Sequence, residues 1–362
     1  MSKILFLVNH DVVIYNFRLE LVERLLADGH QVVISSPYGE RIDALVNLGC
    51  EYYPIELSRH GMNPAEELKL LASYIKLLGN IKPDIVLTYT IKPNIYGGMA
   101  CALKKIPYVV NITGLGTAVE NPGLVQKITV MLYKLALSRV QKVFFQNTEN
   151  QQFFIDRKLA LSKHGLLPGS GVNLTRFSPL EYPSEETTEF VFISRIMKEK
   201  GADQYLEAAE YIRSKYPNTR FHICGFCEQA YEDRLKELQE KEVIIYHGMV
   251  RDVREVIAKV HCTIHPTYYP EGLSNVLLES AACARPLITT NRSGCREVID
   301  DGVNGFVVEQ KNAQHLIEKI EAFLALPWEK KKEMGLAGRL KVEKEFDRQI
   351  VVQKYLDEVR RL

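Results

Sequence analysis

The stretch ILFLVNHDVVIYNFRLELVERLLADGHQVVIS, residues 4–35, decides the fold class. It begins with an apolar run of strand length, continues through an amphipathic helical stretch over residues 15–28, and returns to an apolar run at 31–35. A strand, a helix and a strand in this order form two parallel strands joined by a crossover helix. The stretch therefore predicts a parallel sheet with helices on both faces.

The same alternation continues along the chain and then restarts. Further first-half strands are predicted at 51–55, 85–88, 108–112 and 142–145, with a helix near 41–48. A loop containing Pro and Gly at 167–179 breaks the pattern. A second series follows, with strands at 190–193, 221–224, 243–246, 262–265, 286–290 and 305–308. We therefore predict two doubly wound α/β domains, 1–167 and 168–346, whose strand ends face a central cleft.

The composition excludes several classes of protein. Among 362 residues, 46 basic and 45 acidic side chains give a formal net charge of +1, which argues against a surface built for nucleic acid. Seven cysteines, an odd number, lie mostly in apolar runs and indicate reduced thiols rather than a disulfide framework. Since no apolar run approaches the roughly 18 residues of a membrane span, we expect a cytoplasmic protein.

The densest chemical signal is PTYYPEGLSNVLLE, residues 266–279, which reads as a loop followed by a helix. Glu271 is expected at the helix mouth and Glu279 two turns inside, so that the two carboxylates are about 12 Å apart along the axis. This separation suits the two ends of one extended ligand rather than an acid and base acting at one bond. Between them, the amides of Gly272, Leu273 and Ser274 are expected to form an anion site.

Two cations follow the first strand of the second half in FVFISRIMKEKG, residues 190–201. Arg195 and Lys200, five positions apart at a strand's carboxyl end, can hold a diphosphate and neutralise the charge that grows as it leaves. A surface salt bridge is the alternative for either residue alone. The carboxylates Glu271 and Glu279 on the same side of the same sheet favour a ligand site.

The second half resembles the retaining GT-B glycosyltransferases of family 4. The resemblance rests on the cation pair, on the two-carboxylate element and on the segments LPGSGVNLTRFSP (167–179), SAACARPLITT (280–290) and SGCREVIDDGVNGFVV (293–308). It implies two Rossmann-like domains with a sugar nucleotide on the second and a last helix, 347–362, that crosses back to the first. It also implies that Arg195 and Lys200 hold the diphosphate, Glu271 the sugar, Glu279 the ribose, and the turn at Gly248 and Met249 the base.

The first half departs from many members of that family. Thr113, followed by Gly114, stands where relatives carry a His, Ala284 stands where Gly is common, and the first loop lacks their glycines. The loops NHDVVIYNFR and YTIKPNIYGG instead resemble a bacterial subgroup that extends polyprenyl-diphosphate-linked saccharides for capsule, O-antigen or protein glycosylation. The acceptor-side candidates are His10, Asn16, Arg18, Thr113 and Gly114.

The segment 123–142 reads as a basic amphipathic helix without acidic residues. An anionic membrane surface, or the diphosphate of a polyprenyl-linked acceptor, would suit Lys127, Lys134 and Arg139. The alternative is an ordinary helix packed on the sheet with a solvated polar face. On the first interpretation the protein is peripheral on the inner face of the cell membrane.

The resemblance implies transfer of a hexose or N-acetylhexosamine, with UDP as the preferred nucleotide, by a front-face route in which the leaving diphosphate takes the acceptor proton. No cofactor is expected, and no Asp-x-Asp motif is present to hold a metal. Two alternatives stay open. A sugar-nucleotide 2-epimerase of the same fold would bind the same donor, and Cys224-Gly-Phe-Cys227 has the spacing of a thiol redox site.

Overall fold

The computed structural model describes residues 1–57, 63–116, 119 and 122–362. The chain forms two compact units. The first comprises Met1–Ser170 together with Arg348–Leu362, and the second comprises Gly171–Asp347. The break along the chain between the units thus falls three residues beyond position 167, inside the loop that interrupts the βα alternation.

The first unit is built on a parallel sheet. Its strands are β1 (Lys3–Leu7), β2 (Gln31–Ser36), β3 (Glu51–Pro54), β4 (Ile85–Tyr89), β5 (Tyr108–Ile112), β6 (Lys142–Phe145) and β7 (His164–Leu166). They lie in the order β3-β2-β1-β4-β5-β6-β7, and every pairing is parallel. The central strands are buried along their whole length because helices cover both faces, which explains their continuous apolar sequences.

The first-unit helices alternate with these strands. They are α1 (Asp11–Phe17), α2 (Leu19–Ala27), α3 (Ile42–Asn47), α4 (Pro64–Ile81), α5 (Gly98–Lys104), α6 (Leu124–Ala136) and α7 (Thr148–Asp156). A π-helical turn at Pro93–Gly97 leads into α5. The helix predicted over 15–28 is in fact two helices, because Arg18 leaves the helical conformation with φ −138° and ψ 8°.

The second unit repeats the design on a six-stranded parallel sheet. Its strands are β8 (Thr188–Ile193), β9 (Thr219–Cys224), β10 (Ile245–Tyr246), β11 (Cys262–His265), β12 (Leu287–Thr290) and β13 (Gly305–Val308). Their order is β10-β9-β8-β11-β12-β13. Its helices are α8 (Ala202–Lys215), α9 (Glu232–Glu240), α10 (Arg254–Ile257), α11 (Asn275–Ala282), α12 (Ala313–Leu324) and α13 (Trp328–Glu345).

The chain then returns to the first unit as α14 (Arg348–Val359). Tyr355 of this helix is fully buried and packs its ring edge-on against Phe144, 5.2 Å between centroids. Its hydroxyl accepts a hydrogen bond of 2.5 Å from the side chain of Asn111 on β5. At the start of the helix, Arg348 bonds the Glu20 carboxylate at 2.9 Å. The last helix is therefore part of the first unit's core, as the family resemblance implied.

The helix predicted over 123–142 is shorter than expected. It is α6, which ends at Ala136, and Arg139 lies in the turn beyond it, where its backbone N–H donates to the Tyr108 hydroxyl at 3.3 Å. Lys142 is already the first residue of β6. In the part of the chain that the structure describes, no helix is long and apolar enough to cross a membrane.

Candidate functional site

The candidate site lies at the carboxyl ends of the second unit's strands. Arg195 comes two residues after β8, Gly248 two residues after β10, and Glu271 in the loop between β11 and α11. Parallel strands bring their carboxyl ends to one edge of the sheet, so residues distant in sequence meet there. The predicted donor-side residues of the second half are therefore gathered at one edge of one sheet.

Lys200 is held in this site by a close approach of two loops. It ends a 3-10 turn, Lys198–Lys200, and Gly201 follows with φ +81°. A Cβ at Gly201 would lie only 2.2 Å from the Pro266 carbonyl oxygen, so the loops after β8 and β11 can touch only because this residue is glycine. Lys200 is 9% exposed and donates a hydrogen bond to Glu271.

The ring of Tyr269 contacts both predicted cations. The sequence analysis did not identify this residue. The Lys200 ammonium lies 4.7 Å and the Arg195 guanidinium 5.8 Å from the centroid of its ring. Both distances are within the range of a cation–π interaction. The aromatic pair in PTYYPEG was the available signal, but periodicity does not show which of two adjacent tyrosines faces the cations.

The start of α11 differs from the prediction in two respects. The helix begins at Asn275 after Ser274, so Glu279 is its fifth residue and lies at the start of the second turn rather than two turns inside. The predicted depth was wrong because residues 271–274 form an irregular loop. The Ser274 amide, expected to face an anion, instead donates to the Gly294 carbonyl at 2.7 Å. Gly272 and Leu273 are buried.

The loop after β12 supports the Glu271 backbone. Gly294 has φ +91°, and a Cβ there would lie 2.8 Å from the Cβ of Glu271. The Glu297 carboxylate accepts from the Gly294 amide at 2.7 Å and from the Ser293 hydroxyl at 3.2 Å. The segment 293–308, which carried part of the family resemblance, therefore fixes the loop that presents Glu271.

A buried histidine lies beneath this cluster at the end of β11. His265 is 2% exposed, and neither ring nitrogen has a hydrogen-bond partner. Burial, with a smaller contribution from the positive charge of Lys200, lowers its pKa to about 3. The ring stacks on Phe192 with 6.4 Å between centroids. His265 is therefore neutral at physiological pH and packs as an aromatic side chain.

The turn predicted to contact a base is anchored on its neighbours. Gly248 has φ +64°, and its carbonyl accepts from the Gly225 amide at 2.8 Å. The Tyr246 hydroxyl donates to the Gly225 carbonyl at 2.9 Å. Met249 is 73% exposed. The loops after β9 and β10 thus hold each other, and Met249 projects from them.

The thiol redox interpretation conflicts with the environment of Cys224. This residue ends β9 and is buried, and burial raises the pKa of its thiol to about 12. The pKa of Cys227 is also raised, by burial and by the charges of Glu232 and Glu228. Reactive CxxC thiols have lowered pKa values, since the thiolate is the nucleophile. The pair lacks this property.

The acceptor-side candidates of the first unit lie after strands β1 and β5 or in and beside helix α1, and they differ in exposure. His10 caps α1 by accepting from the Val12 amide at 3.2 Å, and it contacts Asp11. Asn16 is exposed, and Thr113 and Gly114 follow β5 and are half-buried. Arg18 is 2% exposed, with its guanidinium over the ring of Tyr89 at 5.1 Å. Arg18 is therefore enclosed by protein, unlike the other candidates.

The outer face of α6 carries an unusual surface, which we call the α6 stripe. Its members are four large apolar side chains that are exposed to solvent: Leu124, Ile128, Met131 and Leu135. At 3.6 residues per turn these four fall within about 60° of one another, and Lys127 and Lys134, both exposed, lie along one flank. The opposite side of the helix buries Tyr133 and Ala136.

Two family models match the chain and identify its class. The model described as "Glycosyl transferases group 1" matches residues 179–341, and that described as "Glycosyl transferase 4-like" matches residues 3–147. The two units with parallel sheets have the architecture of GT-B enzymes. The chain is therefore a glycosyltransferase of the GT-B fold, as the resemblance of its second half suggested.

Relatives that are named for a glycosyltransferase activity support this assignment. The chain is 27% identical, over 98% of its length and 97% of the relative's, to the N,N'-diacetylbacillosaminyl-diphospho-undecaprenol alpha-1,3-N-acetylgalactosaminyltransferase of Campylobacter jejuni. It is 24% identical, over 70% of each chain, to the UDP-Gal:alpha-D-GlcNAc-diphosphoundecaprenol alpha-1,3-galactosyltransferase of Escherichia coli. The Anabaena HepE structure in complex with UDP superposes with a TM-score of 0.81 at 17% identity, covering 99% of this chain and all of HepE.

Proposed function

We propose that this glycosyltransferase moves a hexosyl or N-acetylhexosaminyl group, with retention, from a UDP-sugar to a saccharide linked to a polyprenyl diphosphate. The observation that carries the donor half is the cluster of Arg195, Lys200, Tyr269 and Glu271 at one edge of the second sheet. Two cations on one aromatic ring, beside one carboxylate, offer a diphosphate and a sugar adjacent partners.

Each donor-side residue has a role that follows from its chemistry. Arg195 is exposed and can bind a phosphate directly, whereas Lys200 is buried and already neutralises Glu271. A diphosphate beside Lys200 competes with Glu271 for the ammonium and frees carboxylate oxygens to accept from sugar hydroxyls. Glu279 is proposed to bind the ribose, and Gly248 and Met249 the base.

The reaction we propose needs charge stabilisation rather than a protein nucleophile. The bond from the anomeric carbon to the diphosphate oxygen breaks, the acceptor oxygen bonds the same face, and the leaving diphosphate takes the acceptor's proton. Negative charge grows on the diphosphate, where Arg195 and Lys200 stabilise it without a change in their own protonation. We propose that no metal ion is required.

The acceptor half of the proposal is supported by the relatives. The Campylobacter jejuni and Escherichia coli enzymes are both named for undecaprenyl-diphosphate-linked acceptors, and the former matches this chain over almost its full length. In the first unit, His10, Asn16, Thr113 and Gly114 are the proposed acceptor-side residues. Arg18 is proposed to act through the packing of Tyr89 and Tyr355.

The α6 stripe is proposed to place the enzyme on an anionic membrane surface, where such an acceptor resides. Four exposed apolar side chains can enter the headgroup region, and Lys127 and Lys134 on one flank favour anionic lipid. The helix carries no acidic residue that would oppose this charge. Arg139, one turn beyond the helix, is proposed to contribute less.

The membrane proposal is tested with vesicles containing phosphatidylglycerol. Two variants should each reduce co-sedimentation with these vesicles several-fold. The first combines Lys127→Glu with Lys134→Glu, and the second is Met131→Ser. The same two charge reversals at Lys236 and Lys344, exposed lysines of the second unit, control for net charge. Equal binding by the α6 variants, the control and the parent would exclude the α6 stripe as the membrane contact.

The catalytic proposal is tested by incubating the enzyme with UDP-sugars, with and without a polyprenyl-diphosphate-linked saccharide. We expect a new glycosidic product only when the acceptor is present, and with the anomeric configuration of the donor. Epimerised sugar nucleotide formed without acceptor would instead identify the 2-epimerase alternative.

A further inference from the structure

A chain of three side chains leads from the start of β8 to the turn proposed to hold the base. The Glu189 carboxylate lies 2.7 Å from Nε2 of His222, and Nδ1 of His222 lies 2.9 Å from Nε2 of His247. His247 directly precedes Gly248. Strand register puts His222 opposite Val191, two residues after Glu189, so that Glu189 and His222 project from one face of the sheet.

The proton positions in this chain follow from the partners. A carboxylate only accepts hydrogen bonds, so Nε2 of His222 must carry a proton. Desolvation and the charges of His222 and Lys259 lower the pKa of His247, so its ring is neutral at neutral pH. Glu189 thus fixes the Nε2 proton of His222, and one hydrogen bond of 2.9 Å joins Nδ1 of His222 to Nε2 of His247.

Other charged and titratable groups lie near these three side chains rather than in the Gly248 turn. Arg220 pairs with the Glu189 carboxylate at 3.3 Å, and Lys259 follows α10. His261 accepts from the Glu189 backbone amide at 3.0 Å through Nδ1, and its Nε2 contacts the Ser184 carbonyl. His261 is thus a second buried histidine beside Glu189, but its contacts lead away from the Gly248 turn.

The side chain of His247 is fixed at the point where the turn leaves the sheet. Its backbone N–H donates to the Ile223 carbonyl at 2.9 Å, and its ring lies nearly parallel to that of His222, with an interplanar angle of 12°. His222 is 5% exposed, so a lost hydrogen bond there is not readily replaced by water. The ring contact therefore fixes the residue adjoining Gly248 and Met249.

We propose that His222 is a positioning residue for nucleotide binding, acting through His247 on the Gly248–Met249 turn. This inference rests on the proposed function, since it takes the turn to be the base subsite. The effect on the nucleotide is indirect, because the hydrogen-bonded side chains order the turn and the turn binds the base.

Two substitutions at His222 separate its two hydrogen bonds. An Asn side chain can place its amide group where ring Nδ1 bonds to His247, whereas a Gln side chain can place its amide nitrogen where Nε2 donates to Glu189. By titration calorimetry with UDP, we expect His222→Gln to raise Kd about tenfold and His222→Asn to stay within about threefold of the parent. His261→Gln is the matched control, with UDP affinity close to the parent's.

The outcomes distinguish the inference from the proposed function. If the parent binds UDP and both His222 variants weaken binding equally, or neither does, the positioning role is overturned. His247→Ala, at an exposed edge position, should match His222→Gln and serves if the latter fails to fold. If the parent does not bind UDP at all, the donor site is wrong and the inference falls with it.

Discussion

At the scale of single residues, the site depends on where charge is placed. Lys200 is buried between Glu271 and the ring of Tyr269, while Lys198, two residues earlier in the same turn, is exposed. Burial strengthens the interaction of an ammonium with a neighbouring anion, because water screens it less. Lys200 is thus placed to act on a charge that develops in the transition state.

Lys200→Ala should therefore lower kcat by about 100-fold, with a smaller effect on UDP affinity. Lys198→Ala is the matched control, and we expect nearly parental kinetics from it. Steady-state rates with donor and acceptor, together with calorimetry for UDP, make the comparison. A raised KM with an unchanged kcat would contradict the transition-state role of Lys200.

Ala284 is a second residue whose environment yields a prediction. It has φ +58°, a conformation that costs an L-residue about 1 to 2 kcal/mol relative to glycine. Ala284→Gly should raise the free energy of unfolding by about 0.5 kcal/mol, because the relief of strain exceeds the conformational entropy that glycine adds to the unfolded chain. A rise in Tm would show this.

The control for Ala284 is Ala282→Gly at the end of the helix α11. Ala282 has helical geometry, so glycine there should lower Tm. A fall in Tm for both variants would contradict the account of strain at Ala284.

At the scale of elements, strand β11 links the core to the site. Its last residue, His265, is buried with a pKa near 3, whereas an unfolded histidine titrates near pH 6.5. Between these values the unfolded chain binds more protons than the folded chain, so stability falls as the pH drops below about 6.5.

His265→Leu should therefore reduce the loss of stability on acidification by about 2 kcal/mol between pH 6.5 and 4.5. Urea unfolding at the two pH values measures it, with the same experiment on the parent as reference. An equally steep pH dependence in the variant would contradict the lowered pKa of His265 in the folded protein.

Strands and helices that are marked by a local pattern of apolar residues could be predicted from the sequence. Elements that depend on tertiary contacts could not. The strands at Tyr108–Ile112, Cys262–His265 and Gly305–Val308 match their predicted bounds because each is a short apolar run between polar or turn residues. Strand β7 has only three residues, too few for a periodic pattern. The break at Arg18 depends on tertiary contacts with Tyr89 and Tyr355, which no local pattern reveals.

At the scale of the whole molecule, two sheets of the same kind divide the chain into two units. The alternation of strands and helices predicted this architecture, and the family models match one stretch in each unit. The candidate site was predictable in its charged residues, since Arg195, Lys200 and Glu271 all follow strands. Tyr269 and the chain from Glu189 to His247 were not, because they depend on contacts between loops and across strands.

The central claim is that the second unit binds the nucleotide of a sugar donor, and thermal unfolding with UDP, GDP, ADP and NAD tests it most directly. At 100 times its Kd, a ligand adds about 2.7 kcal/mol of stability and raises Tm by a few degrees. The account predicts stabilisation by UDP alone, lost in Glu279→Ala. No shift with any of the four, or a shift with NAD only, would contradict it.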